Sequence, residues 1–270
     1  MLPVREVRPT PLRRTPLVVW ALVVLNVVSF LWELNLVAAE GRRSLLDWAF
    51  VPHTLWSAPL AAAITIFTSM FLHGGWMHLL GNLWFLWIFG PSVEDTLGAR
   101  RFAALYLGAG VAAALAQAAF DPSGMTPMLG ASGAIGGVLA AYVSLHPRRR
   151  IDTLFFIFVL PIPALFFVLE WFVMNLFRGL GALTVAQTGG VAWWAHVGGF
   201  LAGLLLVRFL FPQKPAERAR PTLPARRDVE VIGSDGQRYA VRTFHVSQDV
   251  SQDDEDEPRM PYGTRAWPHR

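Results

Sequence analysis

The chain has 270 residues, 54% of them hydrophobic and only 16% charged, a balance that excludes an ordinary soluble domain and points to a membrane protein. Its formal net charge of +4 is carried by short arginine clusters beside apolar runs, without interleaved aromatic residues, so the positive charge reads as a topology signal and no nucleic-acid partner is expected. With no cysteine, there can be no disulfide framework, no thiolate nucleophile and no cysteine metal site.

In chain order, an arm at 1–15 holding Arg5, Arg8, Arg13 and Arg14 precedes the first apolar run, 16–37. A cleaved signal segment is the competing reading, with "VAAE" as a loose cleavage site, but the run exceeds the 7–15 residues of such a segment and further runs follow. Five more candidates come at 76–92, 101–120, 132–146, 162–179 and 191–212, judged against the roughly 20 residues that cross about 30 Å of hydrocarbon. The fourth is short because the turn-rich "DPSGMTPMLG" precedes it, and the fifth starts near Pro163 after "PIP", leaving 151–160 as an interfacial segment.

The region 38–75 is too long for a simple connector and is apolar yet interrupted, which fits a loop partly embedded in the bilayer. The arginines of the arm, of "GARR", of "HPRRR" and of "KPAERAR" fall on one side if there are six spans. That bias puts both termini on the cytoplasmic side with the site opening to the outer face, and the location expected is a cell membrane, inner or plasma. After 212 the chain is polar: "VEVI" and "QRYAVRTF" around "GSDGQ" read as a possible hairpin, and "DDEDE" as a solvated charge block. The expected organisation is therefore an arm at 1–15, a helical membrane domain at 16–212 and a largely disordered cytoplasmic tail at 213–270.

Polar groups inside a bilayer need partners or a function. "HGGWMHLLGN" places His78 and Asn82 four residues apart, on one helical face, and "WWAHVGGFLAG" carries His196 about five residues into the last run. At 1.5 Å per residue these groups lie several ångströms below the helix starts. A short fourth helix brings Ser132 to the same level, about 8 Å down. Non-helical backbone at that depth, as in the segment before Ser132, must line water or be buried in protein. Gly199 and Gly203, facing Gly133, Gly136 and Gly137, let two helices close in until an imidazole reaches a hydroxyl.

Serine needs an adjacent base, which His196 supplies, and the developing oxyanion needs donors, which the Ser132 backbone N–H, Asn82 and His78 supply. No aspartate lies near that level on the second, fourth or sixth run, so the expectation is a Ser132–His196 dyad, and His73 is assigned to fixing the loop. No HExxH occurs, which argues against a metalloprotease. Glu170 and Asn175 in the fifth run motivate a transporter reading, but no inverted repeat supports it.

"HGGWMHLLGN", "VEDTLGARRF", "GASGAIGG" and "AHVGGFLAG", in this order, resemble the motifs of rhomboid intramembrane serine proteases of the six-helix bacterial type, over roughly 16–212. The resemblance implies an all-α polytopic membrane protein, a six-transmembrane-helix rhomboid bundle with a partly embedded loop between helices 1 and 2. It implies Ser132 as nucleophile and His196 as base, an oxyanion hole at Asn82 and His78 with Gly130 and Ala131 beside the serine, no cofactor or metal, and transmembrane protein substrates in the lipid bilayer that enter beside the fifth helix. Glu94, Gly98 and Arg101 match a structural motif of that family. One position departs from its pattern: where many members carry an aromatic four residues after the serine, this chain has Gly136, which leaves the support of the His196 ring unassigned and a binding-only, non-cleaving relative as the alternative.

Overall fold

A computed structural model describes residues 1–7, 11–184, 191–211, 226–232 and 238–244. The chain divides into two units, Met1–Pro212 and Gln213–Arg270. The first unit is mostly helical. All six apolar runs form helices: α1 (Leu17–Glu40), α4 (Trp76–Leu97), α5 (Ala99–Phe120), α6 (Ser132–Leu145), α7 (Ala164–Thr184) and α8 (Trp193–Leu205), the last continued by a π turn at Leu206–Leu210. Three stretches are long and apolar enough to cross a membrane, Leu17–Glu40, Ala99–Phe120 and Ala164–Ala182, while Ser132–Leu145 and Trp193–Phe209 are apolar but shorter. The α4 helix is as long as α5, at 22 residues, but it carries His78, Asn82, Glu94 and Asp95.

The helix ends are set by specific groups. Glu94 of α4 receives the backbone N–H groups of Val18 and Val19, at 2.9 and 2.8 Å, so a carboxylate satisfies donors at the start of α1 that have no partner within that helix. Gly98, at φ 81°, joins α4 to α5: its N–H donates to the Glu94 carbonyl and its carbonyl accepts from Phe102. A residue with a Cβ is strained at that φ, which accounts for the glycine in "GARR". Arg14 donates its backbone N–H to Asp95, bringing the arm to the same end of the molecule as the α4–α5 junction.

The centre is built from α5, α6 and α8 at close range. A methyl group at Gly137 would fall on the Ala109 side chain, one at Gly198 on Ala116, and one at Gly203 on the Gly137 carbonyl. Helix α6 is buried on all sides from Gly133 to Val143. By contrast, α1 buries a single stripe, Val19, Leu22, Asn26, Phe30 and Glu33, at the spacing of one helical face.

The region between α1 and α4 holds a 3-10 turn (Arg42–Asp47), α2 (Thr54–Ser57) and α3 (Pro59–Ser69). Helix α3 packs Ala62 and Ile66 with Phe50, Met70, Ala114 and Ala118 and leaves Leu60, Ile64 and Phe67 exposed. An outer apolar face of this kind suits the embedded loop expected from the sequence.

The segment expected to be interfacial is a hairpin of strands. β2 (Arg150–Phe155) and β3 (Phe158–Pro163) pair antiparallel, with a turn at Phe156 and Ile157. The arm adds β1 (Leu2–Val7) to β2, in a register running from Leu2 against Leu154 to Val7 against Arg150. Ionic contacts fasten this sheet: Arg5 meets Asp152 at 2.7 Å and Arg149 meets Glu6. The arm is thus tied to the α6–α7 connection and, through the Trp84 indole donating to the Pro3 carbonyl, to α4.

The second unit contains an antiparallel pair, β4 (Arg226–Ile232) and β5 (Arg238–Phe244), as expected for a hairpin about "GSDGQ". The arginine cluster at 214–220, the acidic block and the expected disorder of the tail lie outside the described residues.

Candidate active site

The approach to Ser132 is fixed before the helix begins. Met128 donates its N–H to the Phe50 carbonyl at 2.7 Å and Gly130 donates to the Ser69 carbonyl at 2.9 Å, so the loop ahead of α6 is held against the region preceding α4. Gly130 has φ 117°, and a Cβ there would lie 2.6 Å from the His78 ring. Glycine is required at 130 for both reasons. Ser132 then opens α6, where unpaired N–H groups and the helix dipole favour negative charge.

A cavity of about 320 Å³ is lined by Ser132, His196, His78, Gly130, Met70 and Met128 among others. Ser132 Oγ lies 2.8 Å from His196 Nε2 across the α6–α8 contact. Their approach depends on absent side chains, since a methyl at Gly199 would collide with the Gly133 carbonyl oxygen. The expectation that glycines let a neighbouring helix close on the serine matches this geometry.

The other ring nitrogen is also engaged. His196 Nδ1 lies 2.6 Å from Asn175 Oδ1, and Asn175 Nδ2 donates to the Trp171 carbonyl at 2.7 Å. An amide oxygen only accepts, so the Asn175 contact is a hydrogen bond when Nδ1 carries the proton, the form in which the Nε2 lone pair faces the serine hydroxyl. The Trp171 ring stands 5.7 Å from the imidazole, centroid to centroid. A hydroxyl and an imidazole nitrogen at this distance have the geometry that proton transfer between them requires.

Of the expected oxyanion groups, His78 and Gly130 border the cavity with Ser132. Asn82, one turn further along α4, is buried, and its Nδ2 finds no acceptor among the described residues. That nitrogen sits 3.3 Å from the place a Gly130 Cβ would take, so an unspent donor is held behind the serine loop. Ala131 is buried as the residue before α6, and its carbonyl accepts the Ile135 N–H; it does not line the cavity.

His73 stands outside this group. Its backbone N–H donates to both oxygens of Glu33, at 2.8 and 3.1 Å, and its ring packs edge-on to His78 at 5.2 Å. Loop fixing, expected from its position before the helix, is what these contacts do. Glu33 was not singled out in the sequence, because a lone carboxylate near the end of an apolar run reads as a boundary. Asn175 was visible there only as a polar residue in the fifth run. Its spacing from Trp171 was the available signal, because residues four apart share one face of a helix.

A family model, "Rhomboid domain", matches residues 61–213. The chain is 30% identical over 228 residues to "Rhomboid protein 1, mitochondrial" of Saccharomyces cerevisiae, covering 77% of this chain and 58% of that protein. It is 33% identical over 149 residues to "Presenilin-associated rhomboid-like protein A, mitochondrial" of Danio rerio, covering 52% and 36%. To "RHOMBOID-like protein 5" of Arabidopsis thaliana it is 33% identical over 150 residues, covering 55% and 45%. The chain therefore spans between about a third and three-fifths of these relatives' lengths. The expected cell-membrane location, with cytoplasmic termini and an outward-opening site, is overturned by the yeast and zebrafish names, which are those of mitochondrial proteins. The physical reason is plain: arginine bias sorts loops between the two sides of a bilayer and carries no information about which membrane it is. The matched domain covers more than half of the chain, including Ser132, His196 and the helices that join them, and the protein belongs to the rhomboid family.

Proposed function

We propose that this protein is an intramembrane serine endopeptidase that cuts peptide bonds in or near the transmembrane helices of other membrane proteins. One observation carries the reading: the Ser132 hydroxyl is 2.8 Å from an imidazole nitrogen whose partner nitrogen is already bound to an acceptor. In the first step Ser132 Oγ bonds to the scissile carbonyl carbon while its proton passes to His196 Nε2. The carbonyl oxygen becomes an oxyanion, met by the N-terminal N–H groups of α6 and by His78 and Asn82. Collapse breaks the C–N bond, and the leaving amine takes the proton from His196. Water, deprotonated by the same nitrogen, then releases the acyl group and restores the serine.

Water is needed in that last step, and a cavity bordered by Ser132 and His196 supports its access. The binding-only alternative rests on Gly136, which removes an aromatic neighbour from the imidazole; Trp171, 5.7 Å from the ring, and Asn175, 2.6 Å from its Nδ1, weaken the argument for it. The test is labelling of the detergent-solubilised protein with a serine-directed fluorophosphonate, followed by cleavage of a single-span model substrate. Both activities are expected in the wild type and neither in Ser132→Ala. Labelling without cleavage of any membrane substrate would favour the binding-only role.

A further inference from the structure

We propose that α7 supplies the positioning residues for the base: Asn175, by fixing the His196 tautomer, and Trp171, by filling the space over Gly136 and backing the ring. The inference rests on the reading of Ser132 and His196 as nucleophile and base.

The tautomer argument comes first. A neutral imidazole carries its proton on either nitrogen, and only the Nδ1–H form leaves Nε2 able to accept from Ser132. Asn175 selects that form because its own orientation is set. Its Nδ2 donates to the Trp171 carbonyl one turn back, which turns Oδ1 toward the ring, 2.6 Å from Nδ1. The reversed amide would lose that backbone bond and set its own oxygen against the Trp171 carbonyl oxygen, two acceptors with no proton between them. Asn175 is 6% exposed, so a lost partner would not be replaced by bulk water. An amide is also neutral, and it sets the tautomer without placing an additional charge in an apolar helix bundle.

The packing argument is independent. A Cβ at Gly136 would meet the Trp171 ring edge at 3.3 Å and the His196 carbonyl oxygen at 3.1 Å. Helix α6 thus gives up a side chain where the indole of α7 comes in. Trp171 lies 5.7 Å from the imidazole at 43°, and Trp193 stands 6.1 Å away nearly perpendicular to it, so two indoles neighbour the ring. Trp171 and Asn175 are four residues apart and reach the same histidine from one face of α7. Asparagine in this third position has a counterpart in the Cys-His-Asn arrangement of papain-like proteases.

The test uses the full chain in detergent, with Asn175→Leu, Asn175→Asp, Trp171→Ala and Trp171→Phe. It measures the rate of fluorophosphonate labelling at Ser132, kcat and KM on a single-span substrate, and thermal unfolding. Asn175→Leu is expected to lower labelling and kcat about 100-fold or more with KM little changed, in line with losing the correct tautomer. Asn175→Asp keeps an acceptor oxygen in place and is expected to recover most of that loss. Trp171→Phe should retain more activity than Trp171→Ala. Wild-type labelling together with an unchanged rate in Asn175→Leu, or equal losses in the Leu and Asp variants, would overturn the positioning role alone. A wild type that is not labelled at all would overturn the serine reading and this inference with it. A second measurement needs no variant at 175 to fold: 15N spectra of histidine-labelled protein, with His196 identified by its loss in His196→Ala, should show the Nδ1-protonated neutral ring. The Nε2-protonated ring there would overturn the proposal.

Discussion

The carbonyl oxygen of Gly133 occupies the space into which a side chain at Gly199 would project, so α6 and α8 meet backbone to backbone beside the serine of α6 and about one turn past the histidine of α8. Any side chain at 199 must push the helices apart. Overpacking of this kind costs about 1–3 kcal/mol, and the displacement acts directly on the 2.8 Å contact between Ser132 and His196. Gly199→Ala is therefore expected to lower the unfolding temperature and to reduce fluorophosphonate labelling more than the stability loss accounts for. Gly181, whose Cβ would meet nothing within 4 Å, serves as the control: Gly181→Ala should leave labelling unchanged.

Asn82 offers a buried N–H donor that finds no acceptor among the described residues, behind the loop that leads to Ser132. If that donor meets the oxyanion only once it forms, its removal affects the chemical step. Asn82→Ala should lower kcat by about 100-fold, the usual consequence of losing one such donor, with a smaller change in KM. A rise in KM at constant kcat would assign Asn82 to ground-state binding.

At the opposite end of the molecule, Glu94 holds the first turn of α1 through two backbone N–H groups and is 3% exposed. Glu94→Ala leaves those donors without an acceptor and is expected to cost about 1–2 kcal/mol. Thermal unfolding measures this, and fluorophosphonate labelling of the folded fraction should be near that of the wild type.

His146, just past the end of α6, supplies a pH dependence. Burial first and the nearby Arg149 second hold its ring below the ordinary histidine value of 6.5, while Ser92, Glu6 and Asp95 act in the other direction. Its Nε2 lies 3.2 Å from the Ser92 carbonyl and 3.3 Å from Thr96 Oγ1. Because the native ring resists protonation, the unfolded chain binds more protons as the pH falls below 6.5. Its contribution is thus complete above that value and declines below it. Thermal unfolding measured across pH 7.5 to 5 should show a falling stability that is shallower in His146→Gln, the group contributing at most about 1.4 kcal/mol per pH unit.

The helices and the contact between Ser132 and His196 were legible because each leaves a one-dimensional trace. Apolar runs of about 20 residues stand out, and a serine set among glycines opposite a histidine beside a small-residue stripe identifies two helices that touch. The three-stranded sheet left no such trace. Leu2 pairs with Leu154, about 150 positions away, and the apolar stretch from 151 to 160 fits an interfacial segment as well as a hairpin. Nor did Asn175 announce itself. A carboxylate is the familiar third group and is absent from the helices bearing Ser132, His196 and Asn82 at that level, whereas the group found at His196 Nδ1 is an amide from the neighbouring helix. Gly136 marks a missing aromatic in the sequence, but that Trp171 packs over it and beside the His196 ring is visible only in the fold.

The most direct test of the account is mass-spectrometric mapping of the fluorophosphonate adduct in wild type and in His196→Ala. The adduct is expected on Ser132 in the wild type, falling by at least about 1,000-fold in rate without the imidazole. An adduct on another serine, or one on Ser132 that forms equally fast in His196→Ala, would contradict it.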